Sequence, residues 1–221
     1  MRSDYNEKFG IPRQAGLVSE LRQEIVIAPE FRNPDALRGL EGFSHVWLIW
    51  GFSETAFDME KDPPEWYPTV RPPRLGGGVR KGVWATRSPY RPNSLGLSCV
   101  KLESVETSGE LKLIVSGADM MDGTPVYDIK PYIPYSDCKP EASGGFTDSV
   151  EEKLLRVEFP EELLSLIDEG KREGLIRILG MDPRGAYEKR PGYSYGLSFG
   201  NWDVKFTVGD DVLTVTGIER R

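Results

Sequence analysis

The sequence predicts a mainly β protein in which a strand-rich N-terminal part precedes a smaller α+β unit. Its 221 residues, 38% of them hydrophobic, suffice for one large domain or for a main domain with a small second one. The 24 glycines and 17 prolines supply many turns, and helical periodicity is sparse before residue 150. Such a succession of short strands and turns is typical of a barrel or a sandwich.

The elements of the N-terminal part follow from local signals. Asn33 is a favourable N-cap and Pro34 suits a first helical position, so a short helix begins here, and Gly42 can end it. The apolar run over residues 43–52 predicts a buried strand. Residues 56–68 are polar and acidic, and they predict a surface excursion. Further short strands are expected over residues 82–86, 97–105 and 111–115.

The pattern changes after a polar, glycine-rich stretch over residues 139–149, which is typical of a linker. Residues 154–159 predict a strand. Pro160 and Gly170 bound a predicted helix, and a second helix opens with residues 175–179 and stops near residue 182. A β-hairpin is predicted from alternation over residues 202–208, a turn, and a return over residues 212–218.

Composition excludes several classes of protein. The formal net charge of −7 argues against a surface that coats nucleic acid without specificity. No stretch reaches the length of a membrane span, and the first ten residues lack the apolar run of a signal peptide. Cys99 and Cys138 are the only cysteines, so neither a disulfide scaffold nor a zinc site is expected, and a reducing cytoplasm fits.

The single histidine, His45, limits the chemistry further because it rules out a multi-histidine metal site. Its place at the start of an apolar run favours a strand residue held by a hydrogen bond over a catalytic base. It is a minor candidate for the wall of a site, and no metal is expected.

Residues 66–102, called the basic segment below, contain no aspartate or glutamate in a chain that has 35 acidic residues. For any single arginine, a solvated side chain is the better explanation. The whole segment favours binding of an anion, because guanidinium groups match phosphate. Its aromatic residues suit unpaired RNA bases, and they are Trp66, Tyr67, Trp84 and Tyr90. The cations expected to contact an RNA are Arg71, Arg74, Arg80, Lys81 and Arg91.

A second candidate site surrounds two aspartates. Asp119 and Asp122 bracket Met120 and Met121, and an Asp-Gly turn that ends at Gly123 would present backbone amides and carboxylates beside soft apolar side chains. Such a pocket can hydrogen-bond an adenosine or an amino-acid-like ligand. From spacing alone, an ordinary β-turn over a methionine-lined core is the simpler explanation.

Several long motifs, in the same order along nearly the whole chain, resemble the TsaA/TrmO family. They are PRQ, RGLEGFSHVW, VRPPRLGG, GVWATRSPYRPNSLGLS, DGTPVYDIKPYIPYSD and DPRGAY, at residues 12–14, 38–47, 70–77, 82–98, 122–137 and 182–187. Members of this family are S-adenosylmethionine-dependent tRNA methyltransferases with a β-barrel catalytic domain. The resemblance implies that residues 1–140 form this barrel domain and that residues 150–221 form a small α+β C-terminal domain.

The resemblance also implies the reaction. The methyl group would go to N6 of adenosine 37 in tRNA, next to the anticodon, where the adenosine already carries a threonylcarbamoyl group. The implied partners are tRNA and a second copy of the chain in a homodimer, with no membrane and no metal, and the implied location is the cytoplasm.

The implied S-adenosylmethionine pocket takes residues from several parts of the chain. Some bacterial relatives carry His-Gln where this chain has Ser53 and Glu54, and a carboxylate cannot donate a hydrogen bond as an amide does. The implied cofactor-binding residues are Pro12, Arg13, Gln14, Ser53, Glu54, Arg87, Leu97, Asp119, Met120, Met121, Asp122 and Gly123.

Methylation of N6 in a threonylcarbamoyl adenosine requires the loss of a proton, because this nitrogen is part of a urea and is a poor nucleophile. A carboxylate, a tyrosine or the substrate itself can be the base, and Asp128 and Asp122 are the first candidates. Lys130 is expected to neutralise charge on the urea oxygen. Tyr132 and Tyr135 are expected either to face the substrate or to pack against the barrel.

Two other functions are compatible with parts of the sequence. A non-catalytic RNA-binding module explains the basic segment but leaves the aspartate-rich pocket without a use. A methyltransferase that acts on a small molecule leaves the arginines of the basic segment without a partner. Equilibrium binding of S-adenosylmethionine separates the RNA-binding module from a methyltransferase.

Overall fold

The computed structural model describes residues 1–52, 66–75, 78–150, 153–185, 190 and 192–221. The strands are β1 (Arg22–Val26), β2 (His45–Gly51), β3 (Thr69–Val70), β4 (Lys81–Gly82), β5 (Leu95–Glu106), β6 (Lys112–Ser116), β7 (Val126–Pro131), β8 (Arg156–Glu158), β9 (Tyr195–Phe199), β10 (Trp202–Gly209) and β11 (Val212–Arg220). The α-helices are α1 (Pro134–Asp137), α2 (Glu161–Leu164) and α3 (Glu169–Gly180). The mainly β prediction is therefore confirmed.

The N-terminal sheet has the order β1-β6-β5-β2-β7, and every neighbouring pair is antiparallel. Within the described ranges β1 and β7 are its edges and do not pair with each other, so a closed barrel is not found there. Strands β3 and β4 form a separate two-stranded ribbon. Short 3-10 helices occupy the connections at Pro29–Phe31, Pro34–Leu37, Leu40–Gly42, Pro73–Leu75, Val83–Ala85 and Gly145–Ser149.

Alternation along the strands gives this sheet a buried face and an outer face. Val46, Leu48 and Trp50 of β2 belong to one hydrophobic core, which also holds Val100 of β5. The side chains between them point to the opposite face, called the outer face below, and its members on β2 and β5 are Trp47, Ile49, Leu95, Leu97 and Cys99.

The C-terminal sheet has the order β8-β11-β10-β9. The predicted hairpin is confirmed as β10 and β11, and β8 pairs in parallel with β11. Helix α3 covers this sheet through Leu175, Ile178 and Leu179, which are buried in a second hydrophobic core. None of the helices in the described part of the chain is long and apolar enough to cross a lipid bilayer.

Three predicted elements differ from the structure. The short helix expected from Asn33 to Gly42 is two 3-10 helices, because Gly39 between them has a left-handed φ of 88°. The strand expected over residues 82–86 ends at Gly82, because buried Val83 turns inward and its carbonyl oxygen accepts the Thr86 N–H at 3.1 Å. The helix expected over residues 160–170 ends at Leu164 as α2, and α3 begins earlier than predicted. The buried side chain of Ile167 redirects the chain between the two helices.

The first 21 residues, called the N-terminal segment, run between the two sheets and join both. Tyr5 belongs to the core of the C-terminal sheet. Nearby, Asn6 Nδ2 donates to the carbonyl oxygen of Gly200 at 2.6 Å, and Lys171 Nζ forms an ion pair with Asp4 at 2.6 Å. These contacts attach the N-terminal segment, including the loop after Asn6, to the C-terminal unit.

Candidate active site

A cavity of about 640 Å³ opens where the N-terminal segment meets the start of β5 and the loop after β6. This volume lies within the usual range for a small-molecule site. Eight of the residues expected at the cofactor line it, and these are Pro12, Arg13, Gln14, Arg87, Leu97, Asp119, Met120 and Met121. They come from four separate stretches of chain, so only folding brings them together.

The four other residue positions of the expected cofactor site are placed differently. Ser53 and Glu54 lie outside the described residues. Asp122 and Gly123 follow directly on the cleft residue Met121, but they are not among its lining residues. Their roles stay predictions.

The Asp122–Gly123 turn holds the start of the chain. Asp122 Oδ1 accepts the Ser3 N–H at 2.9 Å, and the Asp122 N–H donates to the carbonyl oxygen of Tyr5 at 2.8 Å. Gly123 has a φ of 76°, which fits the predicted Asp-Gly turn, and its N–H donates to the Met1 carbonyl at 3.0 Å. This turn therefore fixes the path of the N-terminal segment beside the cleft.

Asp119 is the carboxylate on the cleft wall, and a chain of hydrogen bonds holds it. Trp50 Nε1 donates to Ser98 Oγ at 3.0 Å, Ser98 Oγ donates to Asp119 Oδ1 at 2.5 Å, and the Ala15 N–H donates to the same carboxylate. Burial raises the pKa of Asp119, while these hydrogen bonds and the charge of Arg87 oppose part of that rise. The carboxylate is thus fixed in position and can accept hydrogen bonds from a ligand.

Arg87 supplies a cation on the same cleft. One guanidinium nitrogen of Arg87 donates to Gln14 Oε1, and Gln14 Nε2 donates to the carbonyl oxygen of Arg13. The side chain of Arg87 is exposed to solvent. Because its guanidinium group has five donors, it can bind an anionic ligand while it keeps the bond to Gln14.

Sequence reasoning missed the residues that support Asp119. Trp50 and Ser98 were assigned to strands, and nothing pointed to their hydrogen bond. The available signal was Gly96, because a Cβ there would lie 2.2 Å from the indole ring of Trp50. A glycine at such a strand position indicates that another group approaches closely.

Two predicted catalytic residues lie on the outer face, next to strand β2. Asp128 and Lys130 stand on the edge strand β7, opposite Ile49 and Trp47, and form an exposed ion pair at 3.0 Å. The hydrogen bond from Lys130 lowers the pKa of Asp128, which makes this carboxylate a weaker base. Neither residue is among those that line the cleft.

Tyr132 adjoins the cleft through Trp47. Its ring centroid lies 5.9 Å from that of Trp47, a cleft residue, and 6.2 Å from that of His45. Burial raises the pKa of Tyr132, and the neighbouring Cys138 adds to the effect. Tyr135, in contrast, is 89% exposed.

Of the four described cations expected at an RNA, one lines the cleft and three do not. Arg91 lines the cleft and donates to the carbonyl oxygens of Thr86 and Ser88 at 3.2 and 3.3 Å. The other described cations are Arg71, which is exposed, Arg80, which donates to Thr69 Oγ1 at 2.9 Å, and Lys81, which lies 5.7 Å from the ring centroid of Phe146. The side chain of Arg74 is outside what the structure describes.

The cleft and its rim define a protein that binds a polar small molecule beside an anionic polymer. The cleft offers a carboxylate, guanidinium groups and an apolar wall, and the basic segment, which has no acidic residue, supplies part of its lining. No cluster of three or more metal-ligating side chains occurs in the described part of the chain.

Known proteins place the chain in a family. Residues 1–138 match the family model of the tRNA-methyltransferase O N-terminal domain, and residues 146–221 match that of the TrmO C-terminal domain. The chain therefore belongs to the tRNA-methyltransferase O family, as the motifs predicted.

Similar proteins cover the whole chain. The tRNA (adenine(37)-N6)-methyltransferase of Escherichia coli (strain K12) is 40% identical over 230 residues, which cover 100% of this chain and 95% of that protein. The protein of the same name from Eikenella corrodens is 42% identical, over 80% of this chain and 97% of its own length. A crystal structure of TrmO from Pseudomonas aeruginosa aligns with a TM-score of 0.76 at 33% identity, over 99% of this chain and 94% of the other.

Proposed function

We propose that this chain transfers a methyl group from S-adenosylmethionine to N6 of adenosine 37 in tRNA, where the adenosine carries a threonylcarbamoyl group. The observation that carries the proposal is the meeting of Arg87, Asp119 and the loop of residues 12–14 in one cleft lined partly by the basic segment. Similarity over the full chain to tRNA (adenine(37)-N6)-methyltransferases supports the same reaction.

The chemistry of the cleft fits S-adenosylmethionine. The guanidinium group of Arg87 suits the carboxylate of its amino-acid part, and the carboxylate of Asp119 suits its ammonium or hydroxyl donors. Leu97 and Met121 supply apolar contacts for the adenine. Bound S-adenosylmethionine supplies a methyl group that is already activated by positively charged sulfur, so positioning accounts for much of the catalysis.

Loss of the N6 proton is assigned here to the substrate itself as base. Asp122 accepts a hydrogen bond from the Ser3 backbone, and Asp128 is a weakened base because of Lys130. The raised pKa of Tyr132 makes its phenolate costly to form. The protein residues of the cleft would then orient the two reactants and exclude water from them.

The reaction is tested by nucleoside mass spectrometry of tRNA before and after incubation with the protein and S-adenosylmethionine. We expect a gain of one methyl group on threonylcarbamoyl adenosine, and no gain in tRNA that lacks the threonylcarbamoyl group. Asp128→Asn and Tyr132→Phe should keep most of the activity, whereas loss of a true general base would cost about 10² to 10⁴ in rate. Binding of the cofactor without methylation of modified tRNA would refute the proposed reaction.

We also propose two domains, a barrel-type catalytic domain over residues 1–140 and an α+β domain over residues 150–221, in a cytoplasmic enzyme. Two family models support the division, and two hydrophobic cores follow it in part, since the core of the C-terminal sheet also takes Tyr5, Val18 and Leu21 from the N-terminal segment. The free thiols of Cys99 and Cys138 support the cytoplasm because they suit its reducing conditions.

A homodimer is proposed because the outer face of the N-terminal sheet exposes large apolar side chains. Leu95, Leu97 and Tyr127 are 46%, 57% and 63% exposed, and contiguous apolar surface of this kind often marks a protein interface. A second copy suits this face because Leu97 also lines the cleft, so the partner would border the active site. Sedimentation equilibrium should give twice the chain mass, and Leu97→Asp should give monomers; a monomeric wild-type protein would contradict the proposal.

A further inference from the structure

Two tryptophans of the basic segment form an exposed aromatic pair. The ring centroids of Trp66 and Trp84 lie 5.5 Å apart with an interplanar angle of 29°, so the rings are stacked. Trp84 is 72% exposed, although tryptophan is usually well buried in soluble proteins. One ring of the pair therefore rests on its partner and is open to solvent over most of its surface.

The backbone beneath Trp84 is held in place. Trp84 lies in the 3-10 helix Val83–Ala85, and the Val83 side chain beside it is 1% exposed. The Val83 N–H donates to the carbonyl oxygen of Pro68 at 3.0 Å, which ties this helix to the chain next to Trp66. The indole therefore needs little ordering when a ligand binds, and this favours affinity.

The pair is continuous with the rim of the cleft. Tyr67, the neighbour of Trp66 in the chain, packs edge-on against Tyr90 with ring centroids 5.9 Å apart. Tyr90 lines the cleft. A row of rings thus leads from the cleft to Trp84, and the exposed fraction is 46% for Tyr90 and 58% for Tyr67.

The charge around these rings selects the kind of partner. The basic segment, which carries all four rings, has no acidic residue, and its Arg87 and Arg91 line the cleft together with Tyr90. Aromatic rings interspersed with arginines are typical of surfaces that bind single-stranded nucleic acid, in which bases stack on the rings and phosphates meet the cations. An acidic peptide would match the charge of the segment, but it has no series of planar bases that could stack on the row of rings.

We propose that Trp84, backed by Trp66, stacks on an unpaired base of the tRNA anticodon loop that neighbours the methylated adenosine. The inference rests on the proposed function, which makes tRNA the substrate. An adenosine that enters the cleft must leave its stack with the neighbouring bases, and such a step costs a few kcal/mol. A ring beside the cleft would replace the lost stacking for the adjacent base.

The test uses an anticodon stem-loop RNA that contains 2-aminopurine next to the target adenosine, on its 5′ side in one RNA and on its 3′ side in another. Stacking quenches this fluorescent base. In saturated complexes, one of the two RNAs should be brighter with Trp84→Ala than with the wild type. The same variant should bind the stem-loop about tenfold more weakly, the expected loss of one base–aromatic stack.

The controls separate stacking from loss of structure. Trp84→Phe keeps a flat ring and should retain much of the affinity. Phe31→Ala removes another aromatic side chain that is 69% exposed, but outside the basic segment, and should leave RNA binding unchanged. S-adenosylmethionine affinity should be the same in all three variants, which reports an intact cleft.

Three outcomes would decide against the inference or against the proposed function separately. Equal stem-loop affinity and equal 2-aminopurine emission for the wild type and Trp84→Ala would overturn the stacking inference. Displacement of the bound stem-loop by a polyglutamate peptide, but not by unlabelled single-stranded RNA, would also overturn the stacking inference. The aromatic surface would then be a binding site for an acidic protein. Quenched emission without methylation of modified tRNA would refute the proposed reaction and leave the stacking inference intact.

Discussion

Arg87→Ala is expected to weaken the binding of S-adenosylmethionine by more than tenfold while the protein stays folded. The guanidinium group lines the cleft and donates a hydrogen bond to Gln14, which follows Pro12 and Arg13 in the chain. A hydrogen bond to a charged group contributes about 1.5–3 kcal/mol, which corresponds to roughly a tenfold to hundredfold change in affinity. Isothermal titration calorimetry measures the change directly.

Two further variants define what Arg87 contributes. Arg87→Lys keeps the charge but loses the forked pair of donors, so its affinity should fall between those of the wild type and the alanine variant. Arg156→Ala removes an exposed arginine that pairs with Glu158 on the C-terminal sheet and should change nothing. Unchanged affinity in a folded Arg87→Ala protein would show that another group binds the cofactor's carboxylate.

Gly10→Ala is expected to lower both the stability of the protein and its affinity for the cofactor. Gly10 has a φ of 86°, and a Cβ at this position would lie 2.3 Å from Leu197 Cδ1. The left-handed backbone costs an alanine about 1–2 kcal/mol, and the overlap adds about 1–3 kcal/mol because Leu197 is buried in the C-terminal core. Pro12 follows two residues later, so displacement of this loop also displaces the cleft wall.

Gly39→Ala is the matched control for this prediction. Gly39 has a nearly identical φ of 88°, but a Cβ there meets no atom within 4 Å. It should therefore lose only the backbone contribution, and its cofactor affinity should be normal. Thermal melting and calorimetry compare the two, and equal losses in both variants would show that Leu197 gives way at little cost.

A double variant, Gly10→Ala with Leu197→Ala, separates the two causes. Removal of the Leu197 side chain relieves the overlap but not the backbone strain, so cofactor affinity should recover more than stability does. Recovery of affinity would indicate that the C-terminal sheet positions the cofactor loop, which links the two halves of the molecule in function.

Local patterns were sufficient for several elements of the fold. The apolar run of residues 43–52 contains β2, the alternation near the C-terminus became the hairpin of β10 and β11, and Asn33 caps the 3-10 helix Pro34–Leu37 through its side chain. Each signal is contained within a few consecutive residues, because strand alternation and helix capping depend on near neighbours.

Other elements gave no adequate local signal. β1 and β9 were not predicted, since each has five residues and lies among turns. The Asp-Gly turn was predicted, but β7 after it was not, because Tyr127 and Pro131 obscure the alternation. The early start of α3 depends on Ile167 and on the helix packing closely over Gly174, where a Cβ would lie 2.4 Å from Leu21 Cγ.

The sequence alone determined the chemical content of the site: a segment without acids but with arginines and aromatic rings, two aspartates around two methionines, and motifs that identify the family. The tertiary structure decided which of these groups meet. Trp50, Ser98 and Asp119 are connected across 48 and 21 residues of chain, and the pairing of β2 with β5, together with the loop after β6, brings them into hydrogen-bond contact. It also placed Asp128 outside the cleft lining, because long-range strand pairing puts β7 at the edge of the sheet, with β2 between it and β5.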